Sequence, residues 1–347
     1  MQEFGTTDRR FGRLVILIMA ALTCFLPSSA GVAQNSETSG KNAERPLIVY
    51  RLDPITNTRV LPNSFPNIPG EEGGELSLAG CRGEYESASL AIYAHQELKN
   101  LQLEISDLRC ANQVLPKSSF EPFVVKCWYQ AGRDVMFHDG VKRFVPELLL
   151  KDDALVRVDT QNETNEVRST EESGGTRYLP ASGKDPQELE QLRPMDAATL
   201  QPLTIPGKTV KQFWLTLHIP DDAAGGTYTG TVRLSASGIK TVEVPINVTV
   251  HDFELAYPRM VYSIYYPGKL SAEPTEGTIA AHYKSEEQMR AELADMVAHG
   301  VQYPNLWQAY SKDLVPRALK LREEAGMPND LLFINTCLLY TSDAADE

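Results

Sequence analysis

From Pro46 onward the chain repeats a two-residue rhythm. Phe213, Leu215, Leu217 and Ile219 fall on one side of an extended segment, with Trp214, Thr216 and His218 on the other. Tyr228, Val232, Leu234 and Ala236 follow the same rule after Gly225-Gly226, and Val242, Val244, Ile246, Val248 and Val250 alternate without a break. Leu90, Ile92 and Ala94, then Leu101, Leu103 and Ile105, repeat it earlier in the chain. Successive strand side chains point to opposite faces, so this rhythm predicts antiparallel strands with one buried face each. Gly, Pro, Asn and Asp punctuate the runs, and many short strands without helices between them imply a β-sandwich over residues 46–255. The stretch from Thr160 to Arg193 breaks the rhythm. It is rich in Glu, Asn, Ser, Thr and Gly, a composition that buries too little apolar surface to offset ordering entropy, and it is expected to be a partly disordered insertion.

Past Leu255 the periodicity changes. Val261 to Tyr266 reads as a short strand. Ser285, with Gln288 three residues on, forms a capping box that opens a helix. Met289, Leu293, Met296 and Val297 give that helix an apolar face, and Gly300 ends it. Val301 to Trp307 reads as a second strand, Leu314 to Ala325 as a second helix stopped by Gly326, and Leu331 to Asn335 as a third strand. The order β-α-β-α-β implies parallel strands joined by right-handed crossovers. It opens either a (β/α)8 barrel or a doubly wound sheet. Tyr265-Tyr266-Pro267-Gly268-Lys269 is not the glycine-rich phosphate loop that would favour the latter. The fold class is therefore mainly β: an N-terminal sandwich followed, over residues 256–336, by the start of a TIM-barrel-like domain.

The two ends carry signals of another kind. Arg9, Arg10 and Arg13 precede an apolar run from Leu14 to Leu26, and Pro27 and small residues follow through Ala30 and Ala33. That order is a secretory signal peptide over residues 1–33, and its apolar run is shorter than the ~20 residues of a spanning helix. Residues 34–45 form a polar lead-in. Export to the periplasm, the cell surface or the medium is expected, with no membrane span left after cleavage. Residues 337–347, from Cys337 to Glu347, resemble the translation of a sequencing adapter and begin inside an apolar strand pattern. They are set aside from fold reasoning, with the natural sequence expected to be cut near Thr336.

Charge and motifs narrow the function. A net charge of −13 argues against a general nucleic-acid binder and against docking on anionic lipid. Cys81, Cys110 and Cys127 lie between the two ends; one disulfide with a leftover thiol and three buried thiols both fit. The six histidines (His95, His138, His218, His251, His282 and His299) show no ligand spacing, so neither a metal nor a cofactor is expected. No H-E-x-x-H, C-x-x-C, G-x-S-x-G or Walker motif is present. Asp134 to Asp139 reads as a hairpin turn, Asp221-Asp222 as turn formers, and Glu286-Glu287 as anions placed at a helix N-terminus.

If the second domain is a barrel, its active site lies at the C-terminal strand ends. That nominates Tyr265, Tyr266, Asn305, Trp307 and Asn335, whose aromatic and amide side chains suit sugars, with their apolar ring faces and many hydroxyls. The same aromatics also serve as core or interface residues in many folds.

Several segments resemble exported bacterial sugar hydrolases of the glycoside hydrolase family 123 type. They include Gly83-Glu84-Tyr85-Glu86-Ser87-Ala88-Ser89-Leu90, Val145-Pro146-Glu147-Leu148-Leu149 and Gln212-Phe213-Trp214-Leu215-Thr216, then the run from Ile219 to Gly230. In the second domain the likeness covers Leu293-Ala294-Asp295-Met296, His299-Gly300-Val301 and the run from Leu321 to Met327. The resemblance implies a retaining hydrolase of β-linked N-acetylhexosaminides, with a glycan or glycoconjugate as partner. It also implies substrate assistance: the acetamido oxygen attacks, an Asp orients it, and an adjacent Glu is the general acid/base. The family places that pair beyond the third barrel strand, so no catalytic residue is assigned here and the chain as given is expected to be inactive. A non-catalytic carbohydrate-binding or cell-surface sandwich is the competing reading.

Overall fold

The computed structural model describes residues 45–130, 142–171, 174–181, 192–256, 259–271, 283–308 and 311–333. The leader, the Asp134 to Asp139 turn, Asn335 and the adapter-like tail lie outside the described residues.

In chain order the strands are β1 (Leu47–Leu52), β2 (Glu71–Glu72), β3 (Leu76–Gly80), β4 (Tyr85–Ala94), β5 (Leu98–Ile105), β6 (Leu108–Cys110), β7 (Gln113–Leu115), β8 (Phe120–Tyr129) and β9 (Phe144–Leu150). They continue as β10 (Val156–Asp159), β11 (Thr164–Thr170), β12 (Thr176–Pro180), β13 (Leu203–Ile205), β14 (Thr209–His218), β15 (Gly226–Ser235), β16 (Val242–Val250), β17 (Lys269–Leu270) and β18 (Tyr283–Lys284). Helix α1 is Glu286–Ala298 and α2 is Leu314–Glu324.

A six-stranded sheet runs β2-β1-β4-β14-β8-β9. A second sheet runs β13-β5-β15-β16-β3, with β6 and β7 attached to β15. The alternation read from the sequence decides what lies between them. Leu90, Phe213 and Val124 sit in register on three adjacent strands of the first sheet, and none is exposed. Leu103, Leu234, Val232, Ile246 and Val248 supply the facing layer. Each such side chain contributes about 1.5–3 kcal/mol by leaving water. The expected sandwich is therefore formed. Its pairings are antiparallel except β16 with β3, which is parallel. Gly226 opens β15 at φ +148, where a Cβ would come within 2.7 Å of the Cys110 sulfur; glycine permits that approach. Cys81, Cys110 and Cys127 stand as free thiols. Burial pushes Cys127 up to about 11 although Lys211 and Lys126 oppose it.

Part of the stretch 160–193, expected to be a partly disordered insertion, is regular structure among the described residues. Residues 164–170 and 176–180 are strands β11 and β12, which form a three-stranded sheet with β10. The inward positions of β11 are Asn165, Val167 and Ser169, all buried. Two of the three are polar, so the apolar rhythm is hidden. Order comes instead from hydrogen bonds. The Asn165 amide accepts from Tyr129 N at 2.9 Å and donates to Tyr129 O at 2.6 Å, joining β11 to the end of β8. Ser169 Oγ accepts from Arg193 N at 2.8 Å.

After the sandwich, both helices begin and end where the pattern puts them. Ser285 and Gln288 form the capping box in both directions, and Gly300 and Gly326 follow the helices at φ +79 and +86. Leu270, Met289, Leu293, Leu306, Ala318, Leu321 and Met327 make a separate core. Arg322 is buried with them and donates to Pro304 O at 3.0 Å.

The three strands expected at 261–266, 301–307 and 331–335 are not formed as ladders among the described residues. Single hydrogen bonds stand in their place, Asn305 N to Ile264 O at 3.0 Å and Leu306 N to Phe333 O at 2.7 Å. The described parts of the segments thus lie side by side in the expected order. Pro304 has no N–H to give a ladder, and Val261, Tyr262, Ile264 and Tyr265 are exposed where a parallel sheet needs cover. The described residues do not form a barrel. No helix among the described residues is long and apolar enough to cross a membrane.

Candidate functional site

The junction of these extended segments gathers four of the five nominated residues. Asn305 is held by its backbone bond to Ile264, and its side-chain oxygen accepts the N–H of Tyr266. Beside this bond, the rings of Tyr265, next after Ile264, and Trp307, two residues past Asn305, meet edge to face, with centroids 5.0 Å apart at 90°. That is a favoured aromatic geometry, in which the positive edge of one ring meets the negative face of the other. Tyr265 remains 65% exposed, so the pair is open to solvent rather than a core contact.

Lys269 and Gln308 border the pair. The ammonium of Lys269 lies 5.7 Å from the Trp307 ring, a cation–π distance. The Gln308 amide accepts from Leu270 N at 2.7 Å and donates to Leu270 O at 3.1 Å. A side chain here does what a neighbouring strand would do, and it fixes the 307–308 backbone beside β17.

Tyr266 points away from Tyr265, as alternation along an extended segment requires. Its hydroxyl donates to Glu292 Oε2 at 2.6 Å, and the other oxygen of Glu292 pairs with Lys284 Nζ at 2.7 Å. Burial, reinforced by Glu292, holds the Tyr266 phenol far above the usual tyrosine range. Gly268 makes this possible: a Cβ there would sit 2.3 Å from the Tyr266 ring. The Tyr266–Glu292–Lys284 chain therefore ties the ring to α1 and keeps the phenol protonated. Glu292 and Lys284 were not nominated from the sequence. Their available signal was the place of Glu292 three residues after Met289 and one before Leu293, beside the apolar stripe of α1.

The arrangement offers an exposed aromatic corner, a positive charge and fixed amides. It suits a ring-shaped polar ligand, and among the described residues no pair of carboxylates flanks it. Among the described residues, no three His, Cys, Asp or Glu side chains gather as a metal ligand set.

Comparison with known proteins adds to this geometry. A family model described as the glycoside hydrolase 123 N-terminal domain matches residues 56–236. No curated protein matches the chain. A solved family 123 glycoside hydrolase from Clostridium perfringens, described as acting on glycolipid glycans, is 12% identical with a TM-score of 0.48. The match covers 82% of this chain and 46% of that one, so the chain spans less than half the length of that hydrolase. The adhesive subunit of the CFA/I fimbria of enterotoxigenic Escherichia coli is 12% identical over 56% of this chain and 49% of its own, with a TM-score of 0.20. The solution structure of CaCohA2 from Clostridium acetobutylicum is 15% identical over 51% of this chain and 89% of its own, with a TM-score of 0.19. These scores are too low to carry fold or function. The family model does not depend on them: it spans more than half of the 347 residues, and the chain belongs to the glycoside hydrolase 123 N-terminal domain family.

Proposed function

We propose that this chain is the N-terminal part of an exported glycoside hydrolase that acts on β-linked N-acetylhexosaminides, with the sandwich preceding a (β/α)8 catalytic barrel. The observation that carries the reading is the family's sandwich followed by two helices and three aligned extended segments, with Tyr265 and Trp307 meeting at their junction. Strand ends of this kind are where barrel enzymes place their ligands. The basic and apolar leader from Arg9 to Leu26 supports export. The adjacent Asp-Glu pair of the substrate-assisted mechanism matches no position between Pro46 and Thr336. In this reading the present chain contributes the sugar-binding surface without the acid/base pair, and it is inactive by itself.

The test is to sequence the source locus downstream of the Thr336 codon and to assay both products on p-nitrophenyl N-acetyl-β-galactosaminide. The expected result is a frame that continues through further β/α units with an adjacent acidic pair, active when complete and inactive as the present chain. A frame that ends at Glu347, or a complete product without activity on any N-acetylhexosaminide, overturns the reading.

A further inference from the structure

The outer face of the six-stranded sheet carries a feature that the hydrolase reading does not use. In β14 the odd positions Phe213, Leu215 and Leu217 fill the core, which turns Gln212 and Trp214 to the opposite face. Pairing sets Ser89, Trp214 and Phe123 in one cross-strand row, and Ala91, Gln212, Val125 and Leu149 in the next. The loop at 54–60 rises along one side and β9 along the other. The result is a cleft of about 510 Å³ with Trp214, Gln212, Arg59, Asn57, Glu147 and Leu149 among its walls. That volume lies within the roughly 300–1,000 Å³ of small-molecule sites.

Its chemistry is specific. Trp214 is half-buried and Leu149 is 43% exposed, so the floor is apolar and wet. The Gln212 amide donates to Ser89 Oγ at 2.9 Å, and the buried Ser89 hydroxyl donates on to Phe213 O at 3.0 Å. This relay fixes the amide plane and leaves its oxygen as an acceptor. Glu147 accepts from Trp128 Nε1 at 2.7 Å through one oxygen, which leaves the other. The Trp214 indole N–H and the Arg59 guanidinium make no hydrogen bond among the described residues. An aromatic face beside fixed donors and acceptors of both kinds matches a ligand with an apolar ring face and hydroxyls at its rim. One positive and one negative side chain, on a protein of net charge −13, disfavour a polyanion.

We propose that this cleft binds a neutral oligosaccharide, with one sugar ring laid on Trp214 and its hydroxyls bonded by Gln212, Glu147 and Arg59. The site shares no residue with the Tyr265–Trp307 junction, so either proposal can fail alone.

Isothermal titration of the full 347-residue chain with cellotetraose, chitotetraose and mannotetraose, each at up to ~10 mM, tests it. At least one sugar is expected to bind with a Kd near ~1 mM or tighter, and Trp214→Ala to weaken that binding about tenfold or more. Trp214→Phe should restore most of it, because the ring face remains. Arg59→Ala, at an exposed loop position that leaves the sheet untouched, should weaken binding a few-fold and decides the matter if Trp214→Ala does not fold. No binding by any of the three sugars overturns the proposal. So does binding that neither the Trp214 nor the Arg59 variant moves, or that is lost in Trp307→Ala alone.

Discussion

The sandwich and the segment that follows it were built by the same chain under different constraints. In the sandwich, each strand finds its partners within the stretch from Leu47 to Val250, and the core residues Leu90, Phe213, Ile246 and Val248 are wholly buried. Among the described residues of 259–333 the helices are complete, yet beyond the short β17–β18 pair the extended segments share single hydrogen bonds and leave Tyr262 and Tyr265 about 60% exposed. The difference is one of pairing rules. Antiparallel strands close by hairpins and tolerate one wet face, whereas parallel strands need neighbours on both edges and helices on both sides. A helix satisfies its own backbone and needs one apolar stripe to dock, so α1 and α2 are complete where, among the described residues, parallel pairing is limited to β17 with β18.

The sharpest way to break this comparison is to cut a core residue on each side. Phe213→Ala should remove about 3–5 kcal/mol and lower the main thermal transition by many degrees, because a large ring leaves a cavity where three strands meet. Leu293→Ala, at a site nearly as buried in α1, should leave that transition in place and instead speed amide exchange in α1 and α2. Calorimetry with hydrogen exchange reads both. If Leu293→Ala lowers the main transition as far as Phe213→Ala, the two regions unfold as one unit and the contrast drawn above is wrong.

Charge gives a second, smaller contrast. At one end of the sandwich, Asp153 pairs with Lys211 at 2.6 Å and with Lys126 at 3.0 Å, all three largely buried. Burial alone would raise the Asp153 carboxyl, but Lys211 and Lys126 outweigh it and hold the group below its ordinary range. A carboxylate whose folded pKa is depressed adds stability that is present above its unfolded value and lost as pH falls through the folded one. Asp153→Asn should therefore cost about 2–3 kcal/mol at neutral pH, since two lysines are left without a counter-charge. The cost should shrink as pH drops below about 4. Urea titrations of both proteins across that range test the sign; a cost that does not change with pH removes the ion pair as its cause.

How much of this was legible depends on what ordered each segment. The sandwich and both helices could be read because apolar side chains drive them at periods of two and 3.6 residues, and both capping-box residues were visible. Strand β11 was not, since Asn165 and Ser169 hold it through amide and hydroxyl bonds to backbone that lies far off in sequence. Spacing cannot announce such partners. The junction was partly legible: Tyr265, Tyr266, Asn305 and Trp307 were found from their place at strand ends, whereas Glu292 depends on a fold of the Tyr266 ring that only Gly268 allows. The outer-face cleft escaped for a related reason. Trp214 was visible as the polar-side partner in an alternating strand, but the loop that walls it, with Arg59 and Asn57, has no periodicity to place it.

The smallest expected effect tests the boundary between the two regions most finely. Ser285 Oγ accepts from Gln288 N at 3.2 Å, and the Gln288 side chain accepts from Ser285 N at 3.0 Å, so the box satisfies two of the orphan N–H groups at the start of α1. Ser285→Ala should cost about 1 kcal/mol. Because Lys284, the next residue back, pairs with Glu292, fraying of this turn should also loosen the support of Tyr266. Amide exchange is then expected to rise at the N-terminal end of α1 and at Tyr266, while the amides of β14 stay unchanged. Equal protection at Tyr266 in the variant would mean that Asn305, whose side-chain oxygen accepts the Tyr266 N–H, holds that backbone whatever becomes of the Glu292–Lys284 support.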